Sequence, residues 1–221
     1  MKLQGPELSP QSGNKPKQLV IFLHGYGSNG DDLISLSPEY KDILPDAHFI
    51  SPNAPYKCEM SPPMINNSFQ WFSLISHDPV DMYEGAISAS QILNDFIDEQ
   101  LERFDLSEKD LTLIGFSQGT MMSLHVGLRR EKQLAGILGY SGSLLEAEPL
   151  EDHIKSKPPI CLVHGIIDPI VPFISMSNAE NTLEKLSVDI ETHARPMLAH
   201  GIDFDGIKIG RKFLKKIYKI T

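Results

Sequence analysis

Short runs of consecutive apolar residues alternate along this chain with longer stretches in which apolar residues return every three or four positions. QLVIFLHG (18–25) is nearly continuous in apolar residues, as expected of a strand covered on both faces. AHFISPNAP (47–55) predicts a second strand closed by turn residues. Residues 78–104 then space Met82, Ala86, Ala89, Leu93, Phe96, Ile97, Leu101 and Phe104 at helical intervals, which predicts one long helix. LTLIGF (111–116) returns to strand, with a helix expected at or just after Ser117. LAGILGYSG (134–142) and PPICLVHG (158–165) predict two more buried strands. FISMSNAENTLEKLS (173–187) predicts an amphipathic helix, VDIETHAR (188–195) a strand, and the segment from about Phe204 a closing helix. Strands alternating with helices mean an α/β protein, a mostly parallel central sheet with helices on both faces. Ligands of such sheets bind beyond the carboxyl ends of the strands.

The length of 221 residues suits one domain, 1–221, with a Pro/Gly/Ser-rich lead-in over 1–17 that is loose or forms a short edge hairpin. Pro62-Pro63 and Asn66-Asn67 mark 56–70 as a loop that would serve as a lid. The formal net charge of -9 argues against nucleic acid, which needs a positive surface. After Gly206, however, the chain carries six basic residues and no acidic one. Such a tail is either a solvated helix face that complements the helix dipole or a transient contact with an anionic membrane surface. Cys58 and Cys161 make no disulfide framework and show no metal-ligand spacing. The opening residues lack the apolar core of a signal peptide, so a reducing cytoplasm is the expected location.

Candidate chemistry sharpens the picture at GFSQG (115–119), a G-x-S-x-G turn between the predicted strand and helix. The turn is so tight that the residues two before and two after the serine must be very small, and Gly115 and Gly119 meet that need. A serine nucleophile requires a base and an orienting acid, in the order Ser, Asp or Glu, His for this architecture. Asp168 lies in a loop after the strand at 158–165, although Asp-Pro also suits a purely structural turn. Of the five histidines after Ser117, His125 falls too far along the helix, His153 lies in an acidic turn and His193 lies inside a strand pattern. His200 sits in the loop PMLAHGID between the last strand and last helix, where catalytic side chains are carried. Oxyanion donors are expected from the backbone N–H of Gln118 and of Tyr26, the latter in the glycine-rich loop FLHGYGSNGDD (22–32). The Gln118 side chain is expected to matter little. His24 reads as a structural hydrogen-bonding residue rather than a second base.

Taken together, LHGYGSNG, GFSQGT, HGIIDPIVP and LAHGI resemble the phospholipase/carboxylesterase family of α/β-hydrolases, which includes the acyl-protein thioesterases. The resemblance runs from about Leu19 to the C-terminus. It implies an α/β-hydrolase fold, Ser117, Asp168 and His200 as catalytic residues, Tyr26 and Gln118 as oxyanion donors, and no metal or organic cofactor. The expected substrate is a small-molecule or lipid-linked acyl ester or thioester. Trp71, Phe72, Leu74, Met64 and Ile170 are the expected acyl contacts, with Met60 and Ile65 beside them, and core or lid packing is the alternative for each. Tyr26 stands where a leucine is usual and Ser73 where an aspartate is usual, so pocket shape is less predictable than chemistry. A peptidase-like or dienelactone-type hydrolase and a non-catalytic binding protein at lipid surfaces are the rival functions. The oligomeric state, a homodimer included, is not legible.

Overall fold

Each apolar run builds a strand of one sheet. In order across that sheet stand β1 (Glu7–Leu8), β3 (Ala47–Ile50), β2 (Gln18–Leu23), β6 (Leu111–Phe116), β7 (Gly136–Tyr140), β8 (Ile160–Gly165) and β9 (Ile190–Arg195). All neighbours are parallel except β1 with β3. The computed structural model describes residues 2–62, 64 and 66–220. The α/β class and the mostly parallel sheet are those expected from the pattern.

Alternation along β2 shows why both faces are covered. Leu19, Ile21 and Leu23 join a core beneath α2 (Pro79–Phe104), α3 (Gln118–Gly127) and α4 (Ile174–Lys185). Val20 and Phe22 point the other way, into a core with Leu33 of α1 (Gly30–Ile34) and with Phe213 and Leu214 of α5 (Phe204–Tyr218). Asp78 caps α2 by accepting from the Val80 N–H, and Asp203 caps α5 through the Gly206 N–H.

Two short stretches gain pairings that periodicity does not specify. The lead-in takes an edge position rather than a loose one: β1 pairs with the edge of the sheet, Glu7 is held by Arg103 at 2.7 Å, and the N–H groups of Ser51 and Asn53 donate to the carbonyls of Pro6 and Gln4. The 56–70 loop is stapled at its base by a second small sheet, β4 (Tyr56–Lys57) with β5 (Phe69–Gln70), and by the Cys58 N–H to the Ser68 carbonyl. Ile65, expected beside the acyl groove, lies outside the described residues, as does Pro63.

α5 runs antiparallel to the strands. Its first turn meets the end of β7, where the Tyr140 hydroxyl donates to the Gly206 carbonyl, and Ile217 lies against Gly136 at the beginning of β7. Lys215, Lys216 and Lys219 therefore sit at the opposite end of the sheet from the Ser117 turn. No helix among the described residues is long and apolar enough to cross a membrane.

Candidate active site

Ser117 occupies the one-residue turn between β6 and α3 with φ 53° and ψ −118°, a strained conformation for a residue with a Cβ. The two flanking glycines are explained by contact distances. A Cβ at Gly119 would lie 1.7 Å from the Leu23 carbonyl oxygen, and one at Gly115 would lie 2.5 Å from the Gly119 backbone. The strand of Leu23 and the turn can approach only because both positions are bare. Ser117 N–H donates to the Tyr140 carbonyl, which anchors the elbow to β7. The N-terminus of α3 lies directly behind, where its dipole favours developing negative charge.

Asp168 follows β8 and His200 follows β9, so two adjacent parallel strands deliver them to the same end of the sheet. His200 Nδ1 lies 2.8 Å from Asp168 Oδ2. With the proton on Nδ1, Nε2 is left as the basic nitrogen. Burial of the Asp168 carboxyl pushes its pKa up, but the His200 bond and the N–H groups of Ile170 and Val171 on Oδ1 outweigh it, and the net shift is downward. The carboxylate is thus held charged. The His200 ring rests on Phe116, the residue before Ser117, with centroids 4.9 Å apart. Ser141, just beyond β7, holds the next residue by donating to the Gly201 carbonyl. Gly165 makes room for this loop, since a Cβ there would meet the Leu198 carbonyl oxygen at 2.2 Å. The structure closes the Asp168–His200 contact and makes no Ser117–His200 hydrogen bond among the described residues. Such contacts commonly tighten only when substrate binds.

The glycine-rich loop lies against the elbow, where a Cβ at Gly25 would come within 3.3 Å of the Ser117 Cβ. Neither the Tyr26 N–H nor the Gln118 N–H is spent on a hydrogen bond to another described residue, although most buried donors are paired. His24 is buried and structural: Nε2 accepts from the Ala54 N–H and Nδ1 donates to the Gly25 carbonyl. Burial lowers its pKa to about 4, so it is neutral near pH 7.

Other residues take places that periodicity could not show. Trp71 and Phe72 are 0% and 2% exposed and belong to the core, and Leu74 packs partly buried against it. A planar indole wedged under the loop, with Nε1 donating to the His24 carbonyl, offers no surface to a ligand. Met64 and Ile170 are 93% and 67% exposed. The Gln118 side chain, expected to be idle, is fully buried and clips the 71–72 backbone: Oε1 accepts from the Trp71 N–H and Nε2 donates to the Phe72 carbonyl, both at 2.8 Å. His164, inside the apolar run of β8, carries a contact that its sequence context does not signal. It is buried with Nε2 2.9 Å from the Val171 carbonyl and 3.3 Å from Asp168 Oδ2, bracing the acid. A cleft of about 260 Å³ opens where the post-β7 loop meets α2 and α4, walled by Met82, Leu144, Leu145 and Ala179. Its Ser143 follows Gly142, which packs on the Ser117 carbonyl.

One trio among the described residues, Cys161, Glu191 and His193, brings three metal-ligand atoms within 4.8 Å of one another. Lys216 Nζ already faces it, 3.5 Å from Glu191 Oε2. This trio lies on β8 and β9 toward the basic end of α5.

The phospholipase/carboxylesterase family profile matches residues 9–218. The chain belongs to the phospholipase/carboxylesterase family. It is accordingly a hydrolase of carboxylic esters or thioesters. Among similar proteins, acyl-protein thioesterase 1 of Kluyveromyces lactis is 31% identical over 92% of this chain and 93% of its own. Acyl-protein thioesterase 1 of Candida albicans is 27% identical over 94% and 95%. The crystal structure of esterase PE8 superposes with a TM-score of 0.92 at 38% identity, covering 98% of this chain and all of that one.

Proposed function

We propose that this hydrolase works through an acyl-enzyme on Ser117. His200 Nε2 takes the Ser117 proton as Oγ attacks the acyl carbon, and returns it to the leaving oxygen or sulfur. Asp168 holds the imidazole in the required tautomer and stabilises its cation. The N–H groups of Tyr26 and Gln118 receive the oxyanion, each worth ~2.7–4 kcal/mol of barrier. Water then cleaves the acyl-enzyme by the same path in reverse. The substrate is a small-molecule or lipid-linked acyl ester or thioester, the class named by both the thioesterase and esterase relatives. The free thiols of Cys58 and Cys161 suit a reducing compartment, and the reading includes a cytoplasmic location. The far placement of the α5 lysines leaves membrane contact through them out of it.

The observation that carries the reading is the strained Ser117 elbow, beside two unspent N–H groups and the pairing of His200 with the buried Asp168. Ser117→Ala should lower turnover of p-nitrophenyl acetate by at least about 10³-fold, and a fluorophosphonate probe should label Ser117 in the wild type only. Near-wild-type turnover by Ser117→Ala, or an unlabelled Ser117, would overturn it.

A further inference from the structure

Tyr26 and Ser73 meet on a carboxylate that the mechanism above does not use. Glu59 Oε1 accepts from the Tyr26 hydroxyl at 3.2 Å, the Ser73 hydroxyl at 2.8 Å and the Leu74 N–H at 3.0 Å. Glu59 Oε2 accepts from Gln70 Nε2 at 3.1 Å, and the Glu59 N–H donates to Gln70 Oε1 at 2.9 Å. Three segments converge there: the glycine-rich loop, the 56–70 loop and the approach to α2. Four donors on one carboxylate make a rigid junction, since each bond to a charged acceptor is stronger than a neutral one.

The Tyr26 loop needs such a junction. Its neighbours are pinned: His24 by both ring nitrogens, and Gly27 by its N–H to the Phe69 carbonyl and by Ser68 Oγ on its own carbonyl. Among the described residues, Tyr26 itself is pinned only at its phenol, by the Glu59 carboxylate with the Cys58 thiol beside it. Glycine stands on both sides of it, and Gly27 has φ 78°. A peptide flanked by glycine turns readily, and an unpaired N–H gains by turning toward any acceptor. An unspent donor in such a peptide therefore has to be held in place by its side chain.

We propose that Glu59 is a positioning residue for ester cleavage, whose carboxylate holds the Tyr26 phenol and through it keeps the Tyr26 N–H aimed at the oxyanion. The inference rests on the reading of Tyr26 as an oxyanion donor. Full loss of one donor costs about 10²–10³ in kcat, so a donor left free to turn should cost about 10- to 100-fold. The loss should fall on kcat and leave KM little changed, because the oxyanion forms only after substrate is bound.

The test is a double-mutant cycle on p-nitrophenyl acetate, with unfolding midpoints recorded for each variant. Glu59→Ala and Tyr26→Phe should each lower kcat about 10-fold or more, and the double variant should be no slower than the slower single one. Glu59→Gln keeps a carbonyl acceptor for Tyr26, Ser73 and Leu74, and should recover most of the rate. Tyr26→Phe removes one oxygen and leaves the other Glu59 bonds intact, so it reads the tether even if Glu59→Ala folds poorly. Single variants within twofold of wild type, or effects that multiply in the double variant, would overturn the proposal. Ser117→Ala, run alongside, separates the failures: an active Ser117→Ala removes the acyl-enzyme reading, whereas an inactive one beside a normal Tyr26→Phe removes only the role of Glu59.

Discussion

Replacing Gln118 tests whether the residue after the nucleophile works through its backbone for chemistry and through its side chain for stability. The side chain is fully buried and satisfies two backbone groups, the Trp71 N–H and the Phe72 carbonyl, at 2.8 Å each. Gln118→Ala strands both without water to replace it. A buried polar group left unpaired costs about 1–3 kcal/mol, so the pair should cost about 3 kcal/mol. For 221 residues the unfolding entropy converts this to a fall in Tm of about 6 °C. Gln118→Met fills the volume without hydrogen bonds and should lose nearly as much, which separates the clip from a cavity effect. Both variants keep the N–H at 118, so kcat measured well below Tm should stay within about threefold of wild type. Calorimetry and esterase assays on the same preparations provide both readings. A fall in Tm under 2 °C in both variants would refute the clip. A kcat loss of about 100-fold at unchanged Tm would place the side chain in the chemistry instead.

The elbow glycines predict a sharp contrast. Gly119→Ala puts a Cβ 1.7 Å from a backbone oxygen that cannot rotate away, and should destabilise by at least about 3 kcal/mol. Gly201→Ala meets nothing nearer than 3.9 Å and should stay within about 0.5 kcal/mol in urea titrations; equal losses would contradict the contact argument. Acid should weaken the fold through His24. Its folded pKa, about 4, lies below the unfolded value, so between about 4 and 6.5 the unfolded chain binds the extra proton. Its contribution is complete above pH 6.5 and is lost as pH falls toward 4, about 3 kcal/mol in all. His24→Asn should flatten that part of the stability profile, and an unchanged slope would assign the acid loss elsewhere.

Long periodic elements were legible in the sequence because burial imposes their pattern directly. The helix expected over 78–104 spans Pro79–Phe104, and the strand expected over 111–116 spans Leu111–Phe116. The two-residue strands β1 and β4–β5 were not, because a pair of residues carries no period and its pairing is set by distant partners. The order Ser117, Asp168, His200 could be read along the chain, as could the need for bare neighbours at the elbow. That Asp168 touches His200, 32 residues on, followed only from the adjacency of β8 and β9. Gln118, His164 and Glu59 show the same limit. Their hydrogen bonds reach across 46 residues to Phe72, into the loop after β8, and between three separate segments. The sequence alone determined which faces are buried and which small residues the turn demands, since both depend on local chemistry. The tertiary structure decided which polar atoms meet, because a hydrogen bond depends on ångström-scale placement of groups that the chain holds far apart.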